Sequence, residues 1–112
     1  MYEREGAPHV AVGAAAIEAI ARIRADICFI GVTGIHPSAG LSTGDLEEAH
    51  VKRALIASAA ETYVLVSAEK LDAASPYVIV PTTQVAGIIV EPGITDAALA
   101  PYERVGLAVI RA

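Results

Sequence analysis

Lys70, Lys52 and Glu48 are the side chains with chemistry to offer in this chain, and Gly31, Thr33 and Gly34 stand where they can serve the same site. A lysine ammonium is a compact point charge that can hold a phosphate group. Lys70 follows closely on the apolar run 63–66, which places it just beyond the end of a buried strand. Glu48 and Lys52 are four residues apart, so a helix sets them on one face, with the glutamate on the favoured amino-terminal side. Two uses are open to that pair. One is a surface ion pair contributing about 0.3 kcal/mol. The other is a carboxylate that accepts from sugar hydroxyls while the lysine faces a phosphate. Gly31 and Gly34 permit a turn and a close backbone approach, and Thr33 between them offers a hydroxyl. Ser42 and Thr43 precede a helix whose free N–H groups attract anions, although Asp45 and Glu47 beside them repel a phosphate. This is equipment for binding a small anion, with no general base set up for proton transfer.

Other reactive types are sparse. His9, His36 and His50 are scattered, and Cys28 is the single cysteine, inside an apolar run. No spacing suits a metal, and no cofactor is called for. Cys28 reads as a small buried hydrophobe.

The elements that must position these residues alternate. Residues 9–12 are a short strand or an entry segment, and 13–24 carry isoleucines at helical spacing. Residues 26–31 are a strand whose unbroken apolar run suits coverage on both faces, as in a parallel sheet. Residues 32–44 read as a long loop, and long loops in small domains are often functional. Asp45, with Glu48 completing a capping box, or else Thr43, starts a helix that runs to about Ala60; Arg53 on it points to solvent. Strand 62–66, loop 71–76, extended segment 77–80, a helical turn at 81–85 and strand 87–90 follow. A helix from Thr95 or Asp96 to about Val105, stopped by Gly106, leads to the strand 107–110. Alternation of this kind implies right-handed crossovers and a parallel sheet with helices on both faces. In such sheets ligands sit beyond the carboxyl ends of the strands.

Composition narrows the class. The chain has 112 residues, one domain's worth, and is 54% hydrophobic with 4% aromatics and no Trp, so the core is aliphatic. The net charge of −5, with eight basic residues and no basic run, argues against direct nucleic-acid binding. No signal peptide or membrane-spanning stretch is visible, and a reducing cytoplasm is the expected location.

Four pieces in order carry a resemblance to a known family: Asp26-Ile-Cys-Phe29-Ile-Gly31-Val-Thr-Gly34, Gly40-Leu-Ser-Thr43, Glu48-Ala-His-Val-Lys-Arg-Ala54 and Val64-Leu-Val-Ser-Ala-Glu-Lys70. Together, from near Gly6 to Arg111, they resemble the carboxyl-terminal sensor domain of DeoR-type bacterial transcriptional repressors. The resemblance implies a three-layer, Rossmann-like α/β fold, similar to ribose-5-phosphate isomerases and coenzyme A transferases. Its mostly parallel sheet is flanked by helices and lacks the first strand of the full domain. It implies an effector site for a phosphorylated sugar or related metabolite at Gly31, Thr33, Gly34, Glu48, Lys52 and Lys70, a homo-oligomer, and control of carbohydrate genes. DNA would be reached only through a helix-turn-helix domain that this chain does not contain. Ser67, Glu69 and Glu91 depart from the family's wording, where an Asp, a Ser and an Asp stand in "Asp-x-Ser-Lys" and "Ile-Thr-Asp".

Two alternatives belong to other classes. One is a sugar-phosphate isomerase. Its acidic loop would align with residues 30–34, where both aspartates are missing, and its glutamate base would align near Lys52, so the chain is not expected to be an enzyme. The other is an oligomerisation module without a ligand, built on alanine-rich helix faces.

Overall fold

The computed structural model describes residues 7–112, with side chains from Gly13 onward. The chain runs α1 (Ala7–Ile20), β1 (Ala25–Gly31), β2 (Gly34–His36), β3 (Gly40–Thr43), α2 (Leu46–Ser58), β4 (Ala59–Val66), β5 (Tyr77–Val80), β6 (Gly87–Val90), α3 (Asp96–Arg104) and β7 (Ala108–Arg111). Short 3₁₀ turns at Ala68–Lys70 and Thr82–Gln84 flank β5. The fold is mixed α/β, compatible with a Rossmann-like architecture. A four-stranded sheet in the order β1-β4-β6-β7 is parallel throughout, and β2-β3-β5 form a small antiparallel sheet beside it.

The strand order explains where the core sits. Each successive strand of the large sheet is added on the same side of the last. Right-handed crossovers in a sheet that grows in one direction all fall on one face. That face carries the buried Ile30, Val64, Val66, Ile88 and Val90, covered by Ala49 and Ile56 of α2, Leu99 and Tyr102 of α3, and Ile35, Leu41 and Ile79 of the small sheet. The helices therefore flank one face. Among the described residues the other face is open, and β1 is an edge strand with Ile27 and Phe29 exposed, so the double coverage expected for 26–31 is not met there. An unbroken apolar run records that both faces of the strand are apolar, not that both are covered.

Several local expectations are refined. Residues 9–12 lie in α1, since three apolar residues after a histidine fit a helix turn as well as a strand. Ser58 Oγ donates to Ile20 O (2.9 Å), tying α2 to α1. Asp45 is the N-cap of α2; its carboxylate accepts from Glu47 N (2.9 Å) and Glu48 N (3.5 Å). The helix stops at Ser58, short of Ala60, because Ala59 pairs with Ala25 of β1. Strand pairing here overrides alanine's helix preference. Thr95 caps α3 through Ala98 N, and α3 ends at Arg104, with Gly106 N donating to Glu103 O.

The segment 32–44 is a hairpin rather than a loop. Gly34, Ile35 and His36 pair with Ser42, Leu41 and Gly40, and Ile35 and Leu41 are fully buried. His36 Nδ1 accepts from Ser38 N (3.1 Å) and Ala39 N (3.2 Å), which ties the turn. Gly40 has φ +85°, and a Cβ there would lie 2.6 Å from Val80 O, so both backbone and space demand glycine. Arg53 is not given over to solvent. Its guanidinium donates to Ile79 O and Val78 O (both 2.9 Å), clamping β5 against α2.

Candidate functional site

Because the four strands are parallel, Gly31, Val66, Val90 and Arg111 close the same rim of the sheet. Ligands of open α/β sheets sit beyond such carboxyl ends. Over this rim α2 brings a small polar network. Lys52 Nζ donates to Gly31 O (2.5 Å) and pairs with Glu48 Oε1 at 3.6 Å, and that same oxygen accepts from Thr43 Oγ1 (2.8 Å). Lys52 is mostly enclosed and Glu48 half exposed. The i, i+4 spacing makes the pair, as the sequence implies, and the seat on Gly31 aims the ammonium at the strand end. An ammonium has three donors, and two are accounted for by Gly31 and Glu48.

The two glycines differ. A Cβ at Gly31 would meet nothing within 4 Å, so its backbone is open to solvent. At Gly34 a Cβ would lie 2.6 Å from Ala73 O, so the room there is filled by the protein's own chain. Thr33 is likewise engaged. Its N–H donates to Ser42 O (3.1 Å) and its hydroxyl meets Ser75 Oγ at 2.5 Å. Ser42 Oγ accepts from Ser75 N (2.8 Å), so Thr33 and Ser42 together dock the 73–75 segment on the hairpin.

Lys70 ends the 3₁₀ turn that leaves β4, and its neighbour Leu71 makes a parallel bridge to Ile35. Its backbone is therefore adjacent to that of Gly34, and Lys70 and the Gly31–Gly34 turn share one edge of the molecule. The structure brings Gly31, Glu48 and Lys52 into one network and sets Thr33, Gly34 and Lys70 along the same edge, with Gly34 and Thr33 turned to internal contacts.

Beside Lys70 lies a carboxylate cluster that the residue-by-residue reading did not assemble. Ser67 Oγ donates to Glu69 Oε2 (2.7 Å), and Glu91 Oε2 accepts from Ala68 N (3.2 Å). The Ser67 hydrogen bond, then Glu69's own backbone N–H, and least the charge of Lys70, hold the Glu69 carboxyl below the usual range. Ser67, Glu69 and Glu91 are the three positions where the sequence leaves the family wording, and that was the signal available for them. At the far strand Arg111 donates to Ile94 O (2.6 Å) and to Asp96 Oδ1 (2.5 Å).

Tyr102 was not foreseen either. Its hydroxyl is buried, accepts from Asp72 N (2.8 Å) and faces both Asp72 Oδ1 (2.7 Å) and Ile35 O (3.0 Å). Burial, with the Asp72 carboxylate adding to it, pushes the phenol well above the ordinary tyrosine range. Asp72 has φ +62°, an uncommon conformation for a non-glycine residue, and Tyr102 pins it from both its N–H and its carboxylate. This latch fixes the chain just past Lys70 against the hairpin.

Elsewhere, an open groove of about 410 Å³ at the amino ends of β1 and β4 is lined by Ile23, Arg24, Asp26, Ser58 and Ala60. It lies opposite the rim and offers one charge of each sign. Among the described residues no group of three or more His, Cys, Asp or Glu could hold a metal, and no helix is long and apolar enough to cross a membrane.

Comparison with known proteins bears on this geometry. A family model described as the DeoR C terminal sensor domain matches residues 5–92. The uncharacterized HTH-type transcriptional regulator FruR of Bacillus subtilis (strain 168) is 37% identical over 59 residues, covering 53% of this chain. The matched part is 24% of that relative's length, so the chain corresponds to a minor portion of it.

Proposed function

The chain belongs to the DeoR C-terminal sensor family, and from that premise we propose that it is the effector-binding domain of a bacterial transcriptional regulator of carbohydrate genes, taking a phosphorylated sugar or related metabolite at the carboxyl rim. The observation that carries this reading is the Lys52 ammonium seated on the exposed Gly31 carbonyl, with Lys70 on the same edge. A phosphate at this rim can be held by the third donor of Lys52 together with the Lys70 ammonium. Glu48 and Glu69, half or fully exposed beside them, are acceptors for the hydroxyls of the same ligand. A ligand with both an anion and hydroxyls fits this mixed-charge rim better than a bare anion does. DNA is reached through a helix-turn-helix domain of the regulator, in keeping with the name of the Bacillus subtilis relative. Such a regulator acts in the cytoplasm, as a homo-oligomer.

The sensor reading is preferred to an isomerase. At the position where the isomerase resemblance expects a base, Lys52 donates to a carbonyl and faces a carboxylate, the behaviour of a cation. Binding to the native state raises the thermal midpoint by mass action. A panel of phosphorylated sugars and polyol phosphates is expected to raise Tm by several degrees at millimolar concentration, whereas the unphosphorylated sugars do not. Lys70→Ala and Lys52→Ala are each expected to abolish the shift. A longer protein carrying this domain that shows no shift with any member of the panel overturns the reading, as does turnover of an aldose or ketose phosphate.

A further inference from the structure

Lys52 and Lys70 are the only lysines of the chain, and they reach the rim by different means. Lys52 is carried by α2 and seated on Gly31 O. Lys70 sits on the short segment between β4 and β5, where its N–H donates to Ser67 O (3.0 Å). That segment is tied down at separate points. Ala68 N donates to Glu91 Oε2 (3.2 Å), Leu71 bridges Ile35, and Ser75 N donates to Ser42 Oγ (2.8 Å). Between the last two lies Asp72, whose φ of +62° is in the left-handed region. A non-glycine residue persists there only when its surroundings impose the conformation, and such residues gather at ligand sites.

We infer that Tyr102 is a positioning residue of the effector site, and that it holds Lys70 in place through Asp72. The inference rests on the sensor reading of the rim. Tyr102 is fully buried, so it cannot touch a ligand and acts only through what it holds. Its hydroxyl oxygen accepts from Asp72 N (2.8 Å), and its one proton lies between Asp72 Oδ1 (2.7 Å) and Ile35 O (3.0 Å). The grip is on both the backbone and the side chain of a residue two positions after Lys70. A hydrogen bond to a carboxylate is roughly twice as strong as one between neutral groups.

Two features give this contact a consequence for the rim. The first is what it joins. Ile35 follows Gly34 directly, so a single hydroxyl meets both the segment that carries Lys70 and the strand that leaves the Gly31–Gly34 turn. It sets the spacing between the two parts of the site. The second is that Asp72 is exposed, so packing does little to impose its backbone and the hydrogen bonds from Tyr102 do it instead. Without them Asp72 is free to return to a negative φ, which redirects the chain on both sides and carries the Lys70 ammonium from its place. Binding groups must be held to within about 0.5 Å by their supporting contacts. The seat of Lys52 on Gly31 uses none of these contacts, so the two lysines respond differently to loss of the hydroxyl.

Titration with inorganic phosphate and with the phosphorylated sugars of the panel, followed through the ε-methylene NMR signals of the two lysines, tests this below the unfolding transition. Both signals are expected to move in the unaltered protein. In Tyr102→Phe the dissociation constant is expected to rise about tenfold, with the Lys70 shift largely lost and the Lys52 shift kept. Asp72→Ala removes the carboxylate and disfavours the left-handed backbone, and is expected to act in the same way. Asp72→Asn keeps an acceptor for the hydroxyl and tolerates that backbone, and is expected to bind at least as well as the unaltered protein. Ile88→Ala removes buried bulk and no side-chain hydrogen bond, and is expected to keep both shifts at a lower midpoint. A Tyr102→Phe protein with a lowered midpoint but an unchanged dissociation constant and Lys70 shift overturns the inference. So does an Asp72→Ala protein that binds as the unaltered one does, or an Ile88→Ala protein that loses the Lys70 shift as well. Should Tyr102→Phe fail to fold, the two variants of the exposed Asp72 decide the matter. Lysine signals that ignore inorganic phosphate and every sugar phosphate in the unaltered protein instead overturn the sensor reading, and the inference with it.

Discussion

The two faces of the parallel sheet are made of the same residue types on the same strands, yet they do different work. On β4, Val64 and Val66 point into the core and Leu65 between them is about half exposed. On β1, Ile30 is buried and Phe29 beside it is the most exposed large hydrophobic among the described residues. The inner face is filled by α2, α3 and the small antiparallel sheet because every crossover falls on that side. What the difference teaches is that hydrophobicity selects the strands, whereas strand order selects which side is packed.

The largest expected effect tests that asymmetry directly. Ile88→Ala on the inner face empties a fully buried site and should cost about 2–5 kcal/mol. At roughly 4–8 °C per kcal/mol for a domain of this size, the midpoint should fall by about 8 °C or more. Leu65→Ala on the outer face should cost about 0.5 kcal/mol when measured in dilute solution. Denaturant titrations of both variants at two protein concentrations check this. Equal costs for the two would break the comparison. A Leu65→Ala cost within error of zero would sharpen it, since nothing among the described residues then packs on that side chain.

How much of this was legible follows from the same asymmetry. The strands of the large sheet and the helices α2 and α3 could be read because each is a dense apolar or periodic run punctuated by a cap or a glycine, with Asp45, Thr95 and Gly106 as the clearest marks. The open face could not, because a run such as Ile27 to Ile30 says nothing about what lies over it. The hairpin was lost because β2 is three residues long and its signal, Ile35 and Leu41 flanking a turn, is too short for a period to emerge. At the rim, the alternation of strand and helix that implies a parallel sheet was enough to expect Gly31, Lys52 and Lys70 at one edge. The part played by Gly34 was not legible, since the backbone that fills its space comes from Ala73, far along the chain. Tyr102 acts on residues 30 and 67 positions away, which no local pattern reports.

A smaller effect is expected where the inner face depends on a polar group. Tyr102→Phe removes the hydroxyl that accepts from Asp72 N and leaves that segment and Ile35 O without their partner. The cost should be about 1–3 kcal/mol. The pH dependence separates this from a simple packing loss. The folded phenol is held protonated above the ordinary tyrosine value of 10.0, so above that pH the unfolded chain binds fewer protons than the folded one. Stability contributed by Tyr102 is thus fully present at neutral pH and is lost as pH rises beyond about 10. The alkaline loss should be shallower in Tyr102→Phe, and an unchanged slope would show that the hydroxyl is not held as described.

The smallest effect belongs to the rim, where side chains are exposed and little stability is at stake. Ser67→Ala removes the main hydrogen bond that keeps the Glu69 carboxyl below its usual range. A depressed carboxyl contributes stability above its unfolded value that disappears as pH falls through the folded one. Because Glu69 lies wholly in water, solvent screens that contribution, and the midpoint of unfolding should not move measurably. The titration of Glu69 itself, followed by carboxyl NMR, should shift upward towards the ordinary glutamate value. The remaining depression comes from Glu69's own backbone N–H and, more weakly, from Lys70, so Ser67→Ala with Lys70→Ala should raise it a little further. A Glu69 titration indifferent to Ser67 would mean that the carboxylates beside Lys70 are ordinary solvated charges. The rim would then lose the ordered acceptor that distinguishes a site for a hydroxylated phosphate from a patch of mixed charge.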